Sequence, residues 1–136
     1  MQHFTYSKGI VYCPTMLSAI TATATSVPQL VVGARSVMFS LTAATITTRS
    51  TVLTITISND NGVTYFPYSM LIENSANATA NGLTRVASIT RAATGSDIFW
   101  MTPETLGGIT HIKATATITD TGTPAGTITV KANICY

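Results

Sequence analysis

From residue 36 onward the chain alternates apolar and polar side chains with period two, the signature of strands buried on one face. In "SVMFSLTA", Val37, Phe39 and Leu41 share one face and Ser36, Met38, Ser40 and Thr42 the other. "STVLTITIS" sets Leu53, Ile55 and Ile57 against Thr54, Thr56 and Ser58. Asn59 to Gly62, "NDNG", follows; its residues tolerate positive φ and bond their own backbone, so a hairpin turn is expected there. The return strand, "VTYFPYSMLI", contains Pro67, which cannot donate to a ladder and belongs on a sheet edge or at a bulge.

Residues 73–82, "ENSANATANG", have no period and read as a loop. "LTRVASITR" resumes the alternation as one strand over 83–91. "DIFWMT" is apolar on both faces, and "PETLGG" opens with a proline suited to a single helical turn. "THIKATATIT" and "TITVKANICY" alternate cleanly around "DTGTPAG", a cluster of turn residues, and are expected to pair with each other as an antiparallel hairpin. No stretch beyond residue 35 presents a helical apolar face. The expected fold is all-β, an antiparallel β-sandwich or jelly roll of about seven or eight strands over 36–136. Residues 1–35 differ, being low-complexity and punctuated by Pro14 and Pro28. They form an N-terminal arm or first strands, adding either to the chain's own sheet or to a neighbour's.

Composition narrows the function. The chain has 136 residues, one domain by length, and only 9% are charged against about 25% in an ordinary soluble domain. Thr fills about a fifth of the positions, so the exterior is largely neutral hydroxyl. The net charge of +2 comes from scattered Lys and Arg with no basic stripe, which argues against a nucleic-acid partner. Every apolar stretch is interrupted within a few positions, so no membrane span is expected. The start lacks an unbroken apolar signal core, so classical secretion is not expected. Low charge suits a subunit that self-associates.

Catalytic and ligating constellations are missing from the sequence. His3 and His111 are the only histidines, and nothing pairs either with a nucleophile and a carboxylate. Asp60, Asp97 and Asp120 occupy turn-like positions where Asp serves local backbone bonding. Cys and His have no metal-site spacing, and no glycine-rich phosphate loop joins a strand to a helix. No enzyme activity, metal or cofactor is expected. Cys13 and Cys135 lie near opposite ends of the chain; they bridge only if the first and last strands are neighbours, and otherwise remain separate thiols. The aromatic residues are the candidate interface: Phe4, Tyr6 and Tyr12 in the arm, Tyr65 and Tyr68 after the hairpin, and Trp100.

"LTITISNDNGVTYFPY" and "DIFWMTPETLGGITHIKATATITDTGTPAGTITVKA" together resemble the small β-sandwich structural proteins of tailed bacteriophage virions, of the capsid decoration and head-fibre type. That resemblance implies a non-enzymatic homo-oligomer bound to a major capsid protein or another virion protein, found in the virion and assembled in the host cytoplasm. Two other readings stand beside it. One is an extracellular filament subunit that donates an N-terminal strand to its neighbour. The other is a carbohydrate-binding module, for which Tyr65, Tyr68 or Trp100 would have to share one exposed plane.

Overall fold

A computed structural model describes residues 10–73 and 83–136, and within it the chain is all-β apart from one helical turn. In chain order the elements are β1 (Val11–Tyr12), β2 (Thr15–Ile20), β3 (Ala24–Thr25), β4 (Gln29–Leu30), β5 (Ser36–Ser58), β6 (Phe66–Tyr68), β7 (Met70–Glu73), β8 (Leu83–Val86), β9 (Ile89–Arg91), β10 (Gly95–Trp100), α1 (Pro103–Leu106) and β11 (His111–Cys135). Phe4, Tyr6 and most of the loop expected at 73–82 lie outside the described residues.

The organising element is a ribbon of two long antiparallel strands. β5 has 23 residues and β11 has 25, and they pair along their whole lengths, from His111 opposite Ser58 to Cys135 opposite Ser36. The ribbon bends in the middle. There the register shifts between Asp120, Ala125 and Thr127, and Thr45, Thr48, Gly122 and Gly126 all take positive φ. A Cβ on Gly126, whose φ is 102°, would lie 2.6 Å from the Ala44 carbonyl oxygen, so this bulge accepts only glycine.

The bend makes two sheets from one ribbon. In the first, residues 36–47 of β5 and 125–135 of β11 are flanked by β10, β7 and β8 on one side and by β1 and β2 on the other. In the second, residues 49–58 of β5 and 111–120 of β11 are flanked by β6 and β9 on one side and by β3 and β4 on the other. The inward faces of both halves meet in a single apolar core: Val37, Phe39, Leu41, Ile128, Val130 and Ile134 from the first, Leu53, Ile55 and Ile112 from the second, each at most 1% exposed. Phe39 and Phe99 stack at its centre with ring centroids 5.0 Å apart.

Two sequence expectations change. The segments 110–119 and 127–136 do not pair with each other: they are the two ends of β11, each hydrogen-bonded to a different half of β5. "DTGTPAG" supplies the bend of the ribbon and not a chain reversal. The single strand expected over 83–91 is two, because the chain leaves the first sheet after Val86 and enters the second at Ile89. Among the described residues of 36–136 the strands number seven, β5 to β11, as expected, and residues 11–30 add four short ones, all on the β11 edge. Leu17 of β2 is 5% exposed and belongs to the core. Ser26 accepts the Ala114 N–H on its hydroxyl and donates its own N–H to the Ala114 carbonyl. The hairpin at 59–65 forms as expected, with Pro67 opposite Thr56 on an edge strand that pairs only with β5.

Candidate functional site

The two sheets turn unlike outer faces to solvent. On the second sheet, Thr25, Thr115 and Thr54 lie in register across three strands, followed by Thr117, Val52 and Thr90. The Thr25 and Thr115 hydroxyls are 2.9 Å apart and hydrogen-bonded. This face is a lattice of hydroxyls that water and neighbouring hydroxyls satisfy, the usual solvent side of a strand.

The first sheet is different. Asn133, Met38, Trp100, Leu71 and Arg85 stand directly opposite one another across five strands. Met38, Trp100 and Leu71 are half-buried against each other, and Ile98, one step along β10, is 50% exposed. Each lies on the outward side because its neighbours in sequence point inward: Val37, Phe39, Met70 and Phe99 are all 1% exposed or less. A contiguous aromatic and aliphatic stripe on an outer sheet face is a candidate contact surface, and Trp is among the residues most enriched at the centres of protein contacts.

The aromatic residues singled out from the sequence separate into different roles. Trp100 is on the outer stripe. Tyr68 is 7% exposed inside the core, where its phenol oxygen accepts the Thr102 N–H at 2.8 Å. Tyr65 lies half-buried on the outer side of the second sheet, with the Lys113 ammonium 4.0 Å from its ring centroid. Burial and the nearby Asp60 charge hold its phenol above the usual range. Tyr12 is 50% exposed on β1. Tyr65, Tyr68 and Trp100 therefore share no plane, which removes the flat aromatic platform that sugar stacking requires. Of the segment that strand donation would release, the described strands β1 to β4 pair with the chain's own β11.

Cys13, just after β1, and Cys135, the last residue of β11, are free thiols. Val11 is the residue opposite Cys135, and continuing that antiparallel register puts Cys13 two positions off, a diagonal relation that leaves the thiols too far apart to bridge without backbone movement. The missed members of the stripe are Met38, Leu71 and Ile98. The legible signal was a methionine among Ser36, Ser40 and Thr42, where a strand facing water has no use for one.

The turn after β5 is built around Asp60. Its Oδ1 accepts the Ser58 hydroxyl at 2.7 Å and the N–H groups of Thr64 at 2.9 Å and Val63 at 3.2 Å. The Thr64 N–H, then the Ser58 hydroxyl, pull its pKa down to about 2. The acceptor capacity of Oδ1 is spent on the loop. At the ribbon bend, Arg49 donates to both carboxylate oxygens of Asp120, at 2.7 and 2.8 Å, and to the Gly126 carbonyl. A shallow recess there is walled by Thr48, Ser50, Thr119 and Thr121 beside this already committed arginine. Among the described residues no three His, Cys, Asp or Glu side chains come together as a metal site, and no helix is long and apolar enough to cross a membrane.

This fold has been seen before. The crystal structure of the SPBc2 prophage-derived protein YomS superposes with a TM-score of 0.63 at 15% sequence identity, covering 93% of this chain and 94% of that one. The match spans the whole architecture and shows a shared fold. No protein-family profile and no curated protein matches the chain.

Proposed function

We propose that this chain is a non-enzymatic structural protein of a tailed-phage virion, of the capsid decoration or head-fibre type, held to a larger shell through the outer face of its first sheet. The carrying observation is the one-sided stripe of Met38, Trp100, Leu71 and Ile98, set against a hydroxyl lattice on the opposite face. A free monomer has no use for such asymmetry, whereas a subunit seated on a shell has one face to bury and one to keep wet. The likeness of the fold to a prophage-derived protein supports the same reading. So does the commitment of charged groups to the scaffold: Asp60, Asp120 and Arg49 are bonded within it.

The partner on this reading is a major capsid protein or another virion component, met after folding in the host cytoplasm. Mass spectrometry of gradient-purified particles of the phage that encodes the chain tests it. The chain is expected in a fixed ratio to the major capsid protein, and Trp100→Ser, although folded by circular dichroism, is expected to stay in the soluble fraction. Wild-type chain found only in the soluble fraction overturns the proposal.

A further inference from the structure

A second apolar surface lies at the open end of the sandwich, away from the ribbon bend and off the Trp100 stripe. Ile10, Val11 and Tyr12 are 73%, 58% and 50% exposed, and Leu30 and Val32 are 50% and 52% exposed. They come from two different sheet edges, since Val11 pairs with Cys135 and Leu30 pairs with His111. Tyr136 ties them together: its N–H donates to the Ile10 carbonyl at 3.1 Å and its phenol to the Leu30 carbonyl at 3.3 Å. Folding of the ribbon has thus brought both ends of β11, and the strands beside them, to one place. Between Leu30 and Val32, Val31 is fully buried, so the alternation itself aims Leu30 and Val32 outward.

The chemistry of this patch selects its occupant. Residues 10–34, which supply all of it but Tyr136, contain no Asp, Glu, Lys, Arg or His. A charged partner surface would have to bury ions against groups that cannot pair them, at a cost of several kcal/mol per ion. A second copy brings only carbon and neutral polar side chains at these six positions, the exposed Arg35 beside Cys135 lying outside them, and meets itself without that penalty. The edges also fix the mode of contact. β1 and β4 are two residues each, with Pro14 and Pro28 close by, so neither offers a ladder long enough for strand addition.

We propose that this open-end patch is a self-contact through which two copies associate about a two-fold axis, side chain against side chain. Such an isologous contact closes on itself and leaves the Trp100 stripe of each copy available. The inference does not rest on the virion reading, and its test is separate.

Sedimentation equilibrium of the full chain from low micromolar to submillimolar concentration should show a reversible dimer. Val11→Asp and Val32→Asp, both at exposed positions, should weaken that dimer at least about tenfold with an unchanged melting curve, while Trp100→Ser should leave it intact. In the wild type, amide exchange of residues 10–13 and 30–33 should slow as concentration rises, a readout that needs no variant. A chain that stays monomeric throughout, or a dimer dissolved by Trp100→Ser but not by the two aspartates, overturns the proposal.

Discussion

Phe99 and Trp100 are neighbours on β10 whose side chains leave the sheet in opposite directions, so truncating each separates stability from binding. Phe99 is fully buried and stacked on Phe39, itself fully buried, with ring centroids 5.0 Å apart and planes 13° from parallel. Phe99→Ala therefore removes a packed ring from a site that cannot collapse, at a cost of about 3 to 5 kcal/mol. That is a large share of the roughly 5 to 15 kcal/mol that holds an ordinary domain folded. Trp100 is half-buried. Half of a roughly 200 Å² side chain at about 25 cal/mol per Å² gives about 2.5 kcal/mol, and correcting for a compact unfolded chain leaves about 1.5 to 2 kcal/mol. Equilibrium urea unfolding should be followed by far-UV circular dichroism, because Trp100 is the chain's only tryptophan and its loss would silence fluorescence. With m unchanged, the midpoint for Phe99→Ala should fall at least about one and a half times as far as that for Trp100→Ala. Particle binding should show the reverse order, lost in Trp100→Ala and retained in Phe99→Leu. A midpoint for Phe99→Ala no lower than that for Trp100→Ala would show that the faces of β10 are inverted.

Ile55, 1% exposed in the second half of the core, should cost about 2 to 5 kcal/mol on truncation to Ala, and a melting curve shifted no more than by Thr117→Ala would contradict its placement. Gly126→Ala should destabilise by roughly 1 to 3 kcal/mol, since it combines a strained φ with a Cβ against the Ala44 carbonyl; a neutral effect in a thermal melt would mean that the bulge is not formed as described. Asp60 titrates near 2 when folded against 3.8 for the free group, so its contribution is complete above about pH 4 and is lost as the pH falls from there towards 2. Proteolysis within 59–65 should accelerate over that window, and Asp60→Asn should be cut readily at neutral pH as well; equal protection of the variant would refute the role of the carboxylate. Deleting residues 1–27 should lower stability, because it removes Leu17 from the core and strips the β11 edge of the bonds made by Pro14 and Ser26; an unchanged melting temperature would contradict this.

Period-two alternation determined the class of fold and most of the core. Val37, Phe39, Leu41, Leu53, Ile55, Ile112, Ile128 and Ile134 point inward as their spacing requires, because each strand's two faces are set by local backbone geometry. The turn chemistry of "SNDNG" was equally local, since Asp60 and Ser58 bond groups within a few residues of themselves. Which strands pair was decided only by the tertiary structure. "DTGTPAG" has the composition of a reversal, and Gly, Pro, Asp and Thr serve a β-bend as well as a hairpin. The difference is that residues 43–49 lie alongside and hold the chain to them with the Arg49–Asp120 fork. The stripe around Trp100 was hidden for the same reason. Met38, Leu71, Ile98 and Trp100 are up to 62 positions apart in sequence, and only strand order and register, which depend on contacts between distant segments, set them side by side.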